Sequence, residues 1–222
     1  MTSAKAKNPE TVLVPTPLGD ARATVHAARE PRGWLVTSHG AGGGIEARDL
    51  VALAAALPPL GVTVALVEQP WRVAGKKLAP APKRLDEGWI PVVEALGKRM
   101  AGLPFAASGR SAGARVACRT AAATGAAGVV ALAFPLHPPG KPESSRAAEL
   151  LGAGVPTLVV QGGNDPFGGP DEFPELPADC TLVPVPHGDH GFAVAKRAPV
   201  SQDEAIAVVT EAAGDWLTSL FA

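Results

Sequence analysis

The sequence contains no tyrosine and only two cysteines, Cys118 and Cys180, among its 222 residues. Two cysteines are too few for a disulfide framework and show no metal-ligand spacing, so we expect two reduced, largely buried thiols. The tripeptides G-K-S and G-K-T are absent, which excludes a P-loop that would bind nucleotide phosphates. We therefore expect neither a metal ion nor an organic cofactor.

An excess of charge of one sign is also absent, and the net charge of −1 gives no reason to expect a nucleic-acid partner. Two uncharged stretches, residues 50–67 and 120–139, have the length of a membrane span, but prolines and glycines interrupt both. The first ten residues, MTSAKAKNPE, contain lysines without a following apolar segment, so we expect no secretory signal. Together these absences predict a soluble, cytoplasmic protein with no membrane partner.

The chain does contain short apolar runs that alternate with helical patterns. The expected strands are TVLVPT and ARATVHA, joined by a hairpin at PLGD (17–20), then GWLVTSH (33–39), VTVALVE (62–68), PFAASG (104–109), GVVALAF (128–134), PTLVVQG (156–162) and CTLVPVP (180–186). Helices are expected over residues 46–57, 112–123 and 201–220. A further helix is expected to follow a loop at 69–84 and to end at about Met100. This alternation predicts a single α/β domain over residues 1–222, with a mostly parallel sheet covered by helices on both faces. Residues 1–10 are expected to be a flexible N-terminus.

The stretch ASGRSAGARV (107–116) places Ser111 between Gly109 and Gly113. With 8 serines and 25 glycines in the chain, random placement would give about 0.1 such G-x-S-x-G matches. The motif therefore depends on its surroundings, and here it lies between an expected strand and an expected helix. A sharp turn at that point would project Ser111 above the sheet edge, where the helix also directs backbone N–H groups. We interpret Ser111 as a nucleophile.

Two later strands end in polar loops at the same expected edge of the sheet, where reactive groups gather in such folds. Asp165, in QGGNDPFG, is the candidate acid, and its alternative role is an Asx-turn before a proline. His190, in HGDHGF, is the candidate base because glycines on both sides give its loop freedom, whereas His187 directly follows a proline. The weaker acid candidates in the same region are Asp171, Glu172 and Glu175.

The glycine-rich loop HGAGGG (39–44) follows the first expected parallel strand. We expect the backbone N–H groups of Ala41 and Ala112 to form an oxyanion hole, which binds the negatively charged oxygen of an acyl-transfer intermediate. Dinucleotide binding is the alternative, but G-x-G-x-x-G fails because Ile45 stands where the third glycine belongs. His39 has two possible roles, as a loop-ordering residue or as a substrate contact.

Basic residues lie in the loops around the expected site. The candidate substrate contacts are Arg110, His39, Gly42 and Lys141. Further basic residues of these loops are Arg72, Arg146, Lys196 and Arg197. Two interpretations stay open, since these charges can be solvated surface groups or can attract an acyl substrate that carries a carboxylate or phosphate. The expected partner is a small-molecule acyl substrate, and the oligomeric state stays open.

The motifs HGAGGG, GRSAGARVA, AFPLHPPGKPE, VQGGNDPFG and GDHGF carry a resemblance to the α/β-hydrolase superfamily along nearly the whole chain. More narrowly, the sequence resembles the branch that shares an α/β-hydrolase-like domain with the testis-expressed protein 30 family, close to dienelactone hydrolases. The chain order Ser111, Asp165, His190 matches the superfamily's order. The resemblance implies these residues as nucleophile, acid and base. Dienelactone hydrolases proper use a cysteine where this chain has Ser111.

The sequence thus predicts a serine hydrolase that cleaves an ester, thioester or similar acyl bond through an acyl-enzyme. Two alternatives are an acyltransferase that uses the same three residues and a catalytically idle interaction module of the same fold. Only about twenty residues separate Phe134 from Val155, where the superfamily usually carries its lid. We therefore expect no large cap domain and an open site that favours small or polar substrates.

Overall fold

The computed structural model describes residues 8–222, which form one α/β domain around a single eight-stranded sheet. The expected fold class is confirmed: the sheet is mostly parallel and carries helices on both faces. Of the N-terminal stretch expected to be flexible, residues 1–7 lie outside the described residues, and Glu10 begins the first strand. Within residues 8–222, no helix combines the length and the apolar character that a membrane crossing requires.

The sheet contains one antiparallel hairpin at its edge and is otherwise largely parallel. The strands are β1 (Glu10–Thr16), β2 (Gly19–His26), β3 (Gly33–Ser38), β4 (Val62–Glu68), β5 (Phe105–Arg110), β6 (Gly128–Leu132), β7 (Thr157–Gly162) and β8 (Cys180–Val185). Their order across the sheet is β1-β2-β4-β3-β5-β6-β7-β8. β2 runs antiparallel to β1 and β4, whereas all the remaining neighbours pair in parallel.

Helices cover both faces because the sheet strands are apolar on both sides. The helices are α1 (Arg48–Ala56), α2 (Pro70–Val73), α3 (Pro82–Met100), α4 (Ala112–Thr124), α5 (Ala147–Leu151) and α6 (Gln202–Leu220). On one face α1 and α6 pack on the sheet through side chains such as Leu53 and Val209. On the other face α3 and α4 do so through Trp89 and Val116. Each face therefore has its own buried apolar layer.

The parallel strands end at a common edge, which brings distant loops together. Ser38 at the end of β3 pairs in register with Gly109 of β5, and Gly162 of β7 pairs with Val185 of β8. The loops that follow these strands contain the glycine-rich segment, the serine motif, the acid candidate and the base candidate. The candidate site is therefore assembled at the carboxyl edge of the sheet.

The sequence missed two short helices: α2 lies inside the expected loop at 69–84, and α5 lies in the segment between the expected strands 128–134 and 156–162. Helices of four and five residues are too short to show a helical period. The β6 strand ends at Leu132 instead of residue 134, because Ala133 adopts a φ of 44° that cannot continue a strand. The last helix starts where expected, since the Ser201 hydroxyl accepts a hydrogen bond from the Glu204 N–H in a capping box.

Candidate active site

The turn that carries Ser111 connects β5 directly to α4 and is strained. Ser111 has a φ of 54°, which a side-chain-bearing residue rarely adopts, and its N–H donates to the carbonyl of Leu132 on β6. A Cβ atom on Gly109 would lie 2.5 Å from the carbonyl oxygen of Gly113, and one on Gly113 would lie 2.7 Å from the carbonyl oxygen of Ser38. Both glycines are therefore required for α4 to start this close to β5 and β3.

Three side chains from three separate loops form one hydrogen-bonded chain. Nε2 of His190 lies 2.8 Å from Oγ of Ser111, and Nδ1 of His190 lies 2.8 Å from Oδ2 of Asp165. A carboxylate accepts hydrogen bonds, so Nδ1 carries the ring proton and Nε2 is left to accept the Ser111 hydroxyl proton. The arrangement can therefore move a proton from the hydroxyl to the imidazole.

Asp165 forms the Asx-turn and also contacts the imidazole of His190, so its two suggested roles are compatible. Its Oδ1 accepts the N–H of Phe167, two residues along the chain, which makes an Asx-turn. Its Oδ2 faces His190, and the whole residue is only 4% exposed. The turn therefore orients the carboxylate toward the imidazole. Glu172, one of the weaker acid candidates, instead contacts Nε2 of His137.

Gln161 supports the acid from the end of β7, and sequence reasoning missed it. The fully buried Gln161 side chain uses Nε2 to donate to Oδ2 of Asp165 at 3.0 Å and to the carbonyl oxygens of Phe134 and Gly168. All three partners are acceptors, which decides the orientation of the amide. The available signal was one polar residue in the otherwise apolar strand PTLVVQ. Gln161 therefore anchors the loop after β7 that contains Asp165, here called the acid loop, to the neighbouring loop after β6.

The loop after β8, here called the base loop, directs His190 toward Ser111, whereas no hydrogen bond joins His187 of the same loop to Ser111 within residues 8–222. The ring of Phe167 lies against the His190 ring with centroids 4.2 Å apart, and the His190 side chain stays 19% exposed. His187 is exposed, and its backbone carbonyl accepts a hydrogen bond from Asn164. The imidazole of His190 is thus packed in place on one side and open toward the site.

The expected oxyanion loop lies beside Ser111. A Cβ atom on Gly40 would lie 3.1 Å from Cβ of Ser111, so this loop and the turn at Ser111 are in close contact. Among the described residues, the backbone N–H groups of Ala41 and Ala112 have no acceptor. Ala112 is the first residue of α4, where N–H groups are left free by the helix geometry. Both groups are available to a ligand.

Of the two roles left open for His39, its contacts favour the loop-ordering one. Its Nε2 accepts the N–H of Gln69, so Nδ1 carries the ring proton and donates to the carbonyl of Gly40. The residue is 3% exposed, and burial lowers the pKa of the imidazole, which favours the neutral form. Both ring nitrogens are engaged inside the protein.

The remaining candidate contacts have different surroundings. Arg110 donates to the carbonyl of His190 at 2.6 Å and forms an ion pair with Asp49, so its guanidinium already has protein partners. Gly42 and Lys141 are exposed in their loops.

The further basic residues of these loops also differ in their contacts. Arg72 pairs with Glu46 at the surface. Arg146 is bonded to the carbonyl of Pro135, whereas Lys196 and Arg197 are exposed.

No group of three or more His, Cys, Asp or Glu side chains in the described part of the chain is arranged to hold a metal ion. The cysteines differ in their surroundings, since Cys118 is fully buried and Cys180 is partly exposed. Burial raises the pKa of the Cys180 thiol to about 11, which keeps this side chain protonated.

A family model described as an alpha/beta hydrolase domain matches residues 31–218 of the chain. That range contains all the loops described above. A comparison with curated protein sequences yields no match.

Solved structures share this fold at low sequence identity. A lidless α/β serine hydrolase from Xanthomonas campestris is 19% identical, with a TM-score of 0.75 over 97% of this chain and 98% of that one. A dienelactone hydrolase from Anabaena variabilis is 18% identical, with a TM-score of 0.74 over 96% and 99%. Est1E from Butyrivibrio proteoclasticus is 14% identical, with a TM-score of 0.71 over 95% and 98%. At these identities the likeness establishes the fold.

Proposed function

The chain belongs to the alpha/beta hydrolase domain family, and from that membership we propose that it is a serine hydrolase. Its substrate is an ester, thioester or similar acyl compound, which it cleaves through an acyl-enzyme. Ser111 is the nucleophile, His190 the general base and Asp165 the orienting acid. The single observation that carries this proposal is the hydrogen-bonded chain Ser111–His190–Asp165, with 2.8 Å at each link.

The first half of the reaction forms the acyl-enzyme. Oγ of Ser111 attacks the substrate carbonyl carbon while Nε2 of His190 takes the hydroxyl proton, which gives a tetrahedral intermediate and an imidazolium. The Asp165 carboxylate keeps the other ring proton on Nδ1 and stabilises the imidazolium. When the intermediate collapses, the bond to the leaving group breaks, and His190 returns its proton to the leaving alcohol or thiol.

The second half releases the acid. A water molecule attacks the acyl carbon while His190 accepts its proton, and the proton then passes to Oγ of Ser111 as the acyl bond breaks. Both tetrahedral intermediates carry a negative oxygen. The free N–H groups of Ala112 and Ala41 are the donors proposed for it, and each such donor contributes about 3 to 4 kcal/mol in known enzymes.

The open site supports small or polar acyl substrates within this proposal. Between β6 and β7, the five-residue α5 is the one helix that the structure describes, too little for a cap over Ser111. The motifs AFPLHPPGKPE and VQGGNDPFG support the branch near testis-expressed protein 30 and dienelactone hydrolases, and this resemblance supports the mechanism without naming a substrate. Kinetics with esters of increasing chain length test this point, and a strong preference for long chains would contradict it.

Labelling with a fluorophosphonate, which phosphonylates activated serines, tests the catalytic assignment. We expect the wild-type protein to be labelled and the Ser111→Ala variant to lose labelling, with ester hydrolysis reduced about 10⁴-fold or more. Ser108→Ala is the matched control. Ser108 lies three residues earlier on β5, is fully buried and has no hydrogen-bond partner for its hydroxyl among residues 8–222.

The outcomes separate the possible functions. Labelling lost in Ser111→Ala and kept in Ser108→Ala supports the proposal. No labelling of the wild-type protein would instead favour an idle module of the same fold. Labelling followed by product formation only with an added alcohol or thiol acceptor would make the protein an acyltransferase.

A further inference from the structure

Arg110 occupies the position before Ser111, and its guanidinium lies between the oxyanion loop and the loop that carries His190. Nη2 donates to the backbone carbonyl of His190 at 2.6 Å. Nη1 lies beside the oxyanion loop, since a Cβ atom on Gly40 would be 3.5 Å away from it. On the base loop, a Cβ atom on Gly191 would lie 3.3 Å from Nη2. The residue next to the nucleophile therefore contacts the backbone that carries the base.

The third contact of the guanidinium is a buried carboxylate. Nε of Arg110 lies 3.3 Å from Oδ2 of Asp49 in the first turn of α1, and the Asp49 side chain is fully buried. Neither Asp49 oxygen makes a hydrogen bond within residues 8–222. Burial raises the pKa of Asp49, and the charge of Arg110 opposes that rise. The guanidinium is thus contacted on its Nε side by the Asp49 carboxylate and on its Nη2 side by the His190 carbonyl, which limits its freedom to turn away.

We propose that Arg110 is a positioning residue, which together with Asp49 fixes the backbone of His190 at the distance that Ser111 requires. The inference rests on the proposed serine hydrolase function. The hydrogen bond acts on the carbonyl of the same residue whose imidazole accepts the Ser111 proton. Since Arg110 and Ser111 are adjacent in the chain, one segment carries the nucleophile and holds the base loop. Losing this bond leaves His190 free to move away from Oγ.

This role differs from the substrate contact considered for Arg110 from the sequence. The Arg110 side chain is 17% exposed, and the shortest hydrogen bond of its guanidinium is directed at a backbone oxygen of the protein. A positioning role predicts an equal loss for neutral and anionic substrates, mainly in kcat. A role in binding a substrate carboxylate predicts a higher KM for anionic substrates alone. The two interpretations therefore give different kinetic signatures.

The experiment measures the labelling rate against fluorophosphonate concentration, together with hydrolysis of p-nitrophenyl acetate and of the anionic p-nitrophenyl hemisuccinate. For Arg110→Ala we expect the maximal labelling rate and both kcat values to fall about 10- to 100-fold, because small misplacements of a base are costly. KM and the concentration for half-maximal labelling stay near the wild-type values. Arg110→Lys keeps the charge but not the fork, so it recovers only part of the rate.

Chemical rescue provides a readout that loss of folding would not produce. A cavity of about 370 Å³ lies beside Arg110, bordered by Glu46, Asp49 and Gly191 among others. Methylguanidinium added to Arg110→Ala has room to occupy the vacated position and donate to the His190 carbonyl. We expect it to raise the labelling rate of this variant and leave the wild-type rate unchanged.

Arg119→Ala is the matched control. The Arg119 side chain is 16% exposed and forms ion pairs with Asp86 and Glu149 on the outer side of α4. Its loss should lower the melting temperature at least as much as Arg110→Ala while the labelling rate stays at the wild-type level. This control separates lost stability from lost positioning of the base.

Each outcome bears on one proposal. If the wild-type protein is not labelled, the proposed function fails and the inference falls with it. If the wild-type protein is labelled and Arg110→Ala is labelled at the same rate, the inference alone is wrong. A rise in KM confined to the hemisuccinate, with kcat unchanged, would also overturn it and restore the role in substrate binding.

Discussion

The nucleophile turn and the acid loop reach the same edge of the sheet by different physical means. The turn at Ser111 is held by backbone packing, because Gly109 and Gly113 allow α4 to begin against β5 and β3. The loop of Asp165 is held by side chains, chiefly the Gln161 amide, which bonds to Oδ2 of Asp165 and to two carbonyl groups. The oxyanion loop resembles the acid loop, since His39 holds it through both ring nitrogens.

This difference decides how each part responds to substitution. A backbone-packed turn tolerates no added atom, since the carbonyl groups that surround it belong to strands and a helix that cannot move separately. A loop held by side chains loses a defined number of hydrogen bonds and can keep its overall path. Substitutions at the turn should therefore act on folding, whereas those at the loops should act mainly on the geometry of the site.

The largest effect is expected at the turn. Gly109→Ala would place a methyl group against the backbone of Gly113, and we expect it to lower the free energy of unfolding by about 3 kcal/mol and to abolish labelling. Urea unfolding monitored by circular dichroism measures the change. Gly97→Ala on α3 is the control, because open space surrounds that position and alanine should stabilise the helix by about 0.5 to 1 kcal/mol. Equal stability of both variants would remove the contrast between turn and loops.

A smaller effect is expected at the acid loop. Gln161→Leu removes the donor to the Gly168 carbonyl and one of two donors each to Oδ2 of Asp165 and the Phe134 carbonyl, which keep His190 and Leu136. We therefore expect a loss of about 1 to 2 kcal/mol in the free energy of unfolding. The labelling rate should fall about tenfold as the carboxylate loses its orientation. The nearly isosteric Gln161→Glu should lower the labelling rate at least as much, because a carboxylate is itself an acceptor and cannot donate to the three acceptor oxygens. Tolerance of glutamate would mean that Gln161 only fills space.

The smallest effect is expected at the oxyanion loop and depends on pH. Burial lowers the pKa of His39 below its ordinary value of 6.5, so below that pH the unfolded chain binds a proton that the folded protein does not. The stability contributed by neutral His39 is therefore present above pH 6.5 and lost as the pH falls toward the lowered pKa. Between pH 6.5 and 5.5 we expect the wild-type protein to lose up to about 1 kcal/mol more than His39→Gln, since the unfolded imidazole is only half protonated at the upper pH.

Urea unfolding of both proteins at the two pH values measures this difference. His26 and His137 are present in both proteins, so their own titrations cancel in the comparison. Parallel pH dependences of the wild-type protein and His39→Gln would show that His39 does not couple the loop to protonation.

The fold class, the hairpin and the main strands followed from the sequence because apolar runs and turn residues are local signals. The strand VTVALVE and the start of the last helix at Ser201 illustrate this, since each has its full pattern within a few residues. The helices α2 and α5 were missed because their few residues carry no period. The end of β6 at Leu132 depends on the backbone of Ala133, which no composition indicates.

Within the candidate site the same limit applies. Ser111, Asp165 and His190 could be proposed from glycine spacing and chain order, and the structure brings their side chains within hydrogen-bonding distance, while their catalytic roles stay a prediction. Gln161 could not be assigned to Asp165, and Asp49 was not considered. Asp49 contacts Arg110 across the fold from α1. Gln161 is only four residues from Asp165, but its amide is also oriented by the Phe134 carbonyl, 27 residues away, which the local sequence does not reveal.

The sequence by itself determined the strand and helix pattern, the strained turn at Ser111 and the carboxylate turn at Asp165, because each of these depends on neighbours a few residues away. Only the tertiary structure decided that Gln161 anchors the acid, that His39 serves a loop, and that Arg110 points at the His190 carbonyl instead of at solvent. The contact of Gln161 with the Phe134 carbonyl spans 27 residues, that of His39 with Gln69 spans 30, and that of Arg110 with His190 spans 80. Their geometry depends on how the strands align at the sheet edge, which local preferences do not encode.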